Sequence, residues 1–433
     1  MSGAGEHESV VVGGGPAGLA AAVSLGLAGV DTLLLAPPHM VRCDMVQPDK
    51  ARLEPDRRTA ALFAGSIELL RNLGGWDEIA RESEPITAIR IIDDTGALLR
   101  APEVVFTAEE VGLEVFGWNV PNRALIDGLS KAMGRPGSRV TVIETAGVAA
   151  VEVDGPRARV TTKEGVRVDT LLVAGADGRT SICRAAAGIG TNAWKYPQSA
   201  IATSFSHSRP HGNVSTEFHR PAGPFTTVPL PGQASSLVWV ERPEEATRLA
   251  GLDDTAFKAE LETRLMGLLG QVSDIGPRAL FPLSGLTADR CGANRVALIG
   301  EAAHVVPPIG AQGLNLGLRD AATLAECVAR ARAKGSDIGS EAVLASFSAA
   351  RRLDIASRIH TVDVLNRSLI STLLPVHLAR GLGLFALKSL GPLRRAVIRE
   401  GLQPTSGVPL LMQPGGTRRL QEILPRSAPE AAA

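Results

Sequence analysis

Three stretches of this chain combine residue types and spacings that suit ligand chemistry. The first is Gly13-Gly14-Gly15-Pro16-Ala17-Gly18, a Gly-x-Gly-x-x-Gly pattern set between an apolar run at 9–12 and an alanine-rich run from Leu19. In that setting Gly13 permits a tight turn, Gly15 lets a pyrophosphate reach the backbone, and Gly18 lets the following helix lie close to the strand. The helix start adds free N–H groups and a positive dipole end. The spacing points to a bound dinucleotide. One part of the pattern is missing, because the acidic residue expected about 20 positions further on to hold the ribose hydroxyls is replaced by Ala36. Arg42 or a backbone group is left to substitute for it.

The second stretch is Ala174-Gly175-Ala176-Asp177-Gly178-Arg179-Thr180-Ser181, directly after the apolar run 171–173. Asp177 either accepts hydrogen bonds from a ligand or caps the next helix, and by itself the cap is the plainer reading. The third runs from Gly300 through Glu301, His304, Pro307, Pro308, Gly310, Gln312, Gly313 and Leu314 to Asn315, and opens a helix. Its glycines and prolines present several aligned N–H groups, which with the helix dipole would stabilise negative charge developing on a ring. His304 has no evident carboxylate to orient it, so it reads as a packed, hydrogen-bonded side chain rather than a catalytic base. No Ser/His/Asp triad can be assembled.

The elements that must hold these stretches are continuous apolar strands at 9–12, 31–35, 170–173 and 295–299, the pattern of a parallel sheet covered on both faces. Residues 55–82 read as helices, with Ile67, Leu69, Leu70 and Leu73 ahead of the Gly74-Gly75 stop. Alternation at 85–118 and short runs between Pro and Gly turns at 196–282 suggest antiparallel strands, with a helix at 254–269. A long helix follows around 314–334, the region beyond 340 is helical, and the Pro-, Gly- and Ser-rich tail from 402 reads as loose. The expected division is a discontinuous nucleotide domain (1–84, 116–190 and 284–340), a sheet-rich substrate domain (85–115 and 191–283), a helical region (341–400) and a flexible tail (401–433).

Composition narrows the function classes. The chain has 433 residues with 45 basic and 45 acidic side chains, and this balance carries no footprint of nucleic-acid binding. Cys43, Cys183, Cys291 and Cys327 lie scattered, which excludes a disulfide scaffold or zinc ribbon and suits a reducing cytosol. The polar start leads straight into a strand, so no signal peptide is expected. No apolar run approaches the ~20 residues of a membrane span.

The three motifs, in this order, resemble the single-component FAD-dependent aromatic monooxygenases typified by p-hydroxybenzoate hydroxylase, across residues 9 to about 335. The resemblance implies an α/β fold in which a Rossmann-like FAD-binding domain is interleaved with a mainly antiparallel substrate domain, with C-terminal helices added. It implies that Gly13, Gly15, Ala17 and Gly18 hold the FAD pyrophosphate, and that Asp177-Gly178 serves both FAD and nicotinamide use. Glu301 stands where the family usually has Asp, with Pro308, Gly310, Gln312, Gly313, Leu314 and Asn315 around the ribitol and flavin ring. Further detail is similar to the ubiquinone-biosynthesis hydroxylase branch: Asp56-x-Arg58-Thr59-x-Ala61-Leu62, Asn122-Arg123-Ala124-Leu125, and the run from Gln312 to Asp320. By that likeness Arg58 and Arg123 approach the FAD and Val148 lies beside the adenine; read alone, both arginines would be surface ion pairs.

The activity implied is hydroxylation of the ring of a polyprenylated ubiquinone precursor, using NADH or NADPH and O2 and passing through a flavin C4a-hydroperoxide. A dry pocket is then required, for which Phe218, Phe225, residues 228–230 and residues 281–283 are candidate lining, with simple core packing an equal reading. The other readings are hydroxylation of a small soluble aromatic compound, and FAD binding without turnover. Residues 364–399 carry six basic and no acidic side chains before Arg399's neighbour Glu400, interleaved with leucine-rich runs. Such a segment suits peripheral contact with an anionic membrane, on the inner face of the cytoplasmic membrane, and with other ubiquinone-biosynthesis proteins; a helix packed on the FAD domain is the alternative.

Overall fold

The computed structural model describes residues 5–38, 58–96, 102–370, 383, 385–387, 389–402 and 407–425. Its centre is an eight-stranded sheet. His7–Val12 pairs in parallel with Thr32–Ala36 on one side and with Arg167–Gly175 on the other. Val140–Glu144 and Val296–Leu298 extend the parallel order outward. The central strands His7–Val12 and Thr32–Ala36 are almost wholly buried beneath helix Pro16–Leu27, against which Asn122–Met133 and Gln312–Ala333 pack, whereas Val140–Glu144 at the edge is partly exposed. A hairpin of Val148–Asp154 and Arg157–Thr162 adds antiparallel strands on Arg167–Gly175.

A nine-stranded sheet forms the second layer system. Its pairs are antiparallel except Val214–Arg220 with Ala88–Asp93, so residues 88–107 enter the same sheet as residues 191–288. Helices Pro243–Ala250 and Asp254–Leu265 cover its back, where Phe205, Phe218, Phe225, Trp239 and Phe257 form a core. Phe225 is the hub, with ring centroids 5.5 Å from Phe218 and 5.3 Å from Trp239. Phe218 and Phe225 thus belong to the core, and of their proposed lining partners Val228 and Phe281 reach the cavity.

Two sequence expectations are corrected. Within 55–82, Thr59–Phe63 is a strand, paired antiparallel with Gly117–Pro121 in a three-stranded sheet that Glu84–Ile86 completes. Its Ala and Leu content favours helix, but the pairing partner lies some sixty residues away and overrides that local preference. The tail beyond 402 is docked where described. Leu411, Met412 and Leu420 are buried in the main core, and Asn72 Nδ2 donates to the carbonyls of Leu411 and Gln413 at 2.9 Å each. Helix Gly416–Ile423 follows. Three apolar side chains suffice to seat a segment whose Pro and Gly content reads as loose.

Among the described residues no helix is long and apolar enough to cross a membrane. Helix Gly391–Leu402 lies against the edge of the nine-stranded sheet, with Ile398 in a small core beside Phe106 and Phe116. Arg394 sits 4.5 Å over the Phe106 ring and pairs with Glu110 at 2.6 Å. Of the basic segment at 364–399, residues 371–382, 384 and 388 lie outside the described residues.

Candidate active site

A cavity of about 1270 Å³ opens between the two large sheets and touches all three motifs. That exceeds the 300–1,000 Å³ usual for one ligand, so it has room for a large cofactor and a substrate together.

The fingerprint glycines divide by their surroundings. A Cβ on Gly13, whose φ is +119°, would fall 2.3 Å from the Ala176 carbonyl oxygen, and one on Gly18 would fall 2.0 Å from that of Gly13. Both positions are closed by backbone. A Cβ on Gly15 would meet nothing within 4 Å, because that glycine faces the cavity at the start of helix Pro16–Leu27. No side chain caps that helix, nor the Gln312–Ala333 helix, whose cap residue Ala311 has φ +53°. Two uncapped helix starts and an open glycine cradle fit the pyrophosphate and the electron-accepting ring of a flavin dinucleotide.

Gly13, Gly15, Ala17, Gly18, Arg58, Val148, Asp177, Gly178, Glu301, Pro308, Gly310, Gln312, Gly313 and Leu314 all line the cavity. Asp177 accepts from the N–H of Cys183 at the start of helix Ile182–Ala186, as the cap reading expects. It lines the site while Oδ1 accepts from the Ser181 hydroxyl at 2.6 Å and Oδ2 from the Cys183 N–H at 3.1 Å, which fixes the loop. Glu301 is held by Arg179 in a forked pair at 3.1 and 3.2 Å.

Two of the expected residues sit elsewhere. Arg123 is away from the lining, 3.1 Å from Glu82 and 3.8 Å from Asp127, while its neighbour Asn122 lines the cavity. Asn315 lies behind the wall, buried, with all its polar capacity spent on the strand and loop. Its Oδ1 accepts from the Phe63 N–H and the Ser66 hydroxyl, and its Nδ2 donates to the carbonyls of Ala61 and Ala311. Asn315 therefore ties the helix start to the small sheet. Asp56 and Arg42 lie outside the described residues. Ala36 is buried with its carbonyl accepting from the Thr145 N–H, and Lys163 lines the cavity near Gly147 and Val148.

His304 has a carboxylate after all. Its Nε2 donates to Asp320 Oδ2 at 2.7 Å in full burial, and the same oxygen accepts from the Gly300 N–H at 2.9 Å. Arg351 Nε donates to the other oxygen at 2.6 Å and reaches on to Asp354, which also binds Arg319 and Arg358. Arg358 closes the circuit on Gln312 Oε1 at 2.7 Å. Burial pushes the Asp320 carboxyl up, but the charges of His304 and Arg351 outweigh it and hold it below the usual carboxylate range. Asp354 is lowered in the same way, burial being overcome by Arg351 and Arg319. A charged network thus braces the third motif from beneath. His304 also lines the cavity, and among the described residues its Nδ1 has no partner.

The opposite wall comes from the nine-stranded sheet: Ser215, Glu217, Thr226, Val228, Ser236 and Val238, with Leu280 and Phe281 beside them. Asn119 stands at the junction, its Nδ2 donating to the Pro229 carbonyl at 2.8 Å and to the Ser236 hydroxyl at 3.0 Å. Sequence reasoning missed Asn119 and Glu217, which gain their places through pairing with distant strands, and Lys163, which a local turn brings against Gly147. Asp320 was within reach, at the end of the helix motif already singled out.

A family profile described as an FAD binding domain matches residues 6–361. The chain is 36% identical to the ubiquinone hydroxylase UbiL of Rhodospirillum rubrum, covering 91% of this chain and 89% of that one. It is 31% identical to 3-demethoxyubiquinol 3-hydroxylase of Escherichia coli, covering 91% and 98%. Human COQ6, a mitochondrial ubiquinone biosynthesis monooxygenase, is 29% identical over 90% of this chain and 92% of its own. Among solved structures, p-nitrophenol 4-monooxygenase of Pseudomonas putida shares the fold with a TM-score of 0.73 at 19% identity, covering 92% of this chain and 98% of that one. Klebsiella pneumoniae HpxO, solved with FAD and uric acid, has a TM-score of 0.68 at 17% identity, covering 91% and 96%. With the glycine cradle, the two uncapped helix starts and the braced third motif in place, the chain belongs to the FAD-binding-domain family of flavin-dependent monooxygenases that includes the ubiquinone hydroxylases.

Proposed function

We propose that this monooxygenase hydroxylates the aromatic ring of a polyprenylated ubiquinone precursor, with NADH or NADPH as reductant. The observation that carries this reading is the cavity itself: a glycine cradle on one side, and on the other a wall of Val228, Val238, Leu280 and Phe281 in which the strands 214–241 contribute Glu217 as their charged group. A carboxylate there disfavours an anionic aromatic acid and suits a neutral phenol with an apolar tail. The relatives named as ubiquinone hydroxylases support the same substrate class.

Bound FAD supplies the activation of O2 and the delivery of one oxygen atom to the ring. The chain's own residues do the rest. Gly13 and Gly15 with the helix start at Pro16 would hold the pyrophosphate, and Asp177 fixes the adjoining loop through Ser181 and Cys183. Uncapped N–H groups at the start of Gln312–Ala333 would stabilise negative charge on the bound ring. With cofactor and substrate in the cavity, the two sheets would exclude water from the reacting centre.

Peripheral membrane contact completes the proposal. On helix Gly391–Leu402 and its approach, Leu390, Leu393 and Val397 are exposed at helical spacing, with Arg395 and Arg399 exposed nearby. A face of this kind suits an anionic interface that holds a tailed substrate.

Quinone profiling of a deletion strain tests the function. Accumulation of a prenylated precursor lacking one ring hydroxyl is expected, and an unchanged quinone pool overturns it.

A further inference from the structure

Strand Val214–Arg220 alternates between two environments. Phe218 points to the core beneath the two helices, while Ser215 and Glu217 line the cavity. Glu217 Oε1 accepts from His219 Nε2 at 2.8 Å, with 16% of the carboxylate side chain and 5% of the imidazole exposed. A carboxylate only accepts, so Nε2 carries the hydrogen. Among the described residues, His219 Nδ1 is buried without a partner.

This pair is poorly explained by stability. Burying an imidazole and partly burying a carboxylate costs free energy that one hydrogen bond offsets only in part while a ring nitrogen is left without a partner. Among the described residues neither side chain makes a further ion pair. Asp93 stands opposite His219 in the strand register, and Arg220 pairs with Asp94 at 3.4 Å. Beside Glu217 itself are Ile91 on one strand and Thr226 on the other. What the arrangement does offer is an oriented carboxylate on the wall that faces the flavin motifs.

We propose that Glu217, oriented by His219, accepts the phenolic proton of the substrate; this deepens the substrate reading above and rests on it. The phenol O–H bond breaks and the proton passes to the Glu217 carboxylate. The electron pair stays on the phenolate oxygen and spreads to the ortho and para carbons, which makes them better nucleophiles toward the oxygen atom that the monooxygenase reaction delivers. As the new C–O bond forms, the displaced ring hydrogen ends on the new oxygen as a proton. Glu217 then returns its own proton to the original oxygen. One phenol and one oxygen atom give one dihydroxy product, with no further co-reactant. Glu217 is thus a catalytic residue and His219 a positioning residue.

The test uses the FAD-loaded enzyme with a panel of phenols, prenylated and not, and measures product formed per NAD(P)H consumed. Glu217→Gln keeps the shape and removes the base. Its flavin content should match wild type while product formation falls by roughly 10²–10⁴-fold, the range of general base catalysis. NAD(P)H consumed without product should then appear as hydrogen peroxide. Raising the pH toward the phenol's own pKa, about 10, should recover part of the rate in the variant and little in wild type. Glu217→Asp should restore activity partially, and His219→Gln, which still donates, should lose less than Glu217→Gln. Full product formation in Glu217→Gln, or a loss that pH leaves unmoved, overturns the proposal. If wild type turns over only unprenylated phenols, the polyprenyl reading falls while the base is still tested on those phenols. If wild type turns over no phenol at all, both fall.

Discussion

The backbone N–H of Phe63 donates to Oδ1 of Asn315 at 3.0 Å across 252 positions of the chain, and the Ser66 hydroxyl shares the same oxygen. This contact sets where the Gln312–Ala333 helix begins relative to the small sheet. Asn315→Ala would leave the Phe63 N–H and the Ala61 carbonyl without their partner in a half-buried site. We expect a loss of roughly 2–4 kcal/mol, read as a lower thermal midpoint, together with weaker FAD retention. Unchanged stability would show that water takes over the four bonds.

The fingerprint glycines should separate folding from binding. Gly13→Ala forces a Cβ against the Ala176 carbonyl and demands a positive φ, so soluble folded protein should be scarce. Gly15→Ala enters open space, so the apoprotein should melt as wild type does while FAD affinity falls tenfold or more. Gly313→Val belongs with the second class, since its Cβ would lie at an ordinary 3.5 Å from Val306. Titration of flavin fluorescence against each apoprotein checks all three.

Arg351 is the keystone of the network beneath the third motif. Arg351→Met leaves Asp320 and Asp354 without their shared cation, and a loss of about 3–5 kcal/mol is expected for a buried pair broken on one side. In wild type both carboxyls titrate below the unfolded value of about 3.9. Their stabilisation is therefore whole above that pH and is lost as the pH falls through the lowered folded values. Thermal midpoints measured from pH 7 downward should drop steeply below pH 4 in wild type and less so in Arg351→Met.

Arg394 and its neighbours have different duties. Arg394→Glu sets two carboxylates together at Glu110 and should loosen helix Gly391–Leu402, with a Glu110→Arg partner change restoring it. Arg395→Glu and Arg399→Glu should leave the fold and flavin content intact and reduce co-sedimentation with anionic liposomes at low salt. Wild-type protein that stays in the supernatant would remove the membrane reading.

How much of this was legible in the sequence depends on how local each constraint is. Gly13 and Gly18 are required by backbone atoms of the immediate turn and of one adjoining strand, and a spacing pattern records that directly. Helix propensity misled at Thr59–Phe63 because the strand is made by Gly117–Pro121. The tail misled because Leu411, Met412 and Leu420 are few among Pro and Gly, yet all three are buried. Arg123 and Asn315 were assigned by motif, but where a side chain points is decided by Glu82 in one case and by Phe63 in the other. Glu217 left no signal, since a lone Glu two positions from a His is an unremarkable surface pattern until the strand is placed against the cavity.

The central position of His7–Val12 carries a consequence for biosynthesis. Its first neighbour, Thr32–Ala36, emerges at once, but its other edge must wait for Arg167–Gly175, and that strand in turn for Val296–Leu298. At the ~5–20 residues per second of ribosomal synthesis, each wait lasts on the order of ten seconds. Throughout it, the strand edge that carries Val10, Val11 and Val12 is unpaired on one side and the glycine cradle has no opposite lip. The nascent chain therefore carries an exposed strand edge of the kind that favours aggregation, and the third motif is the last part of the cavity wall to be made.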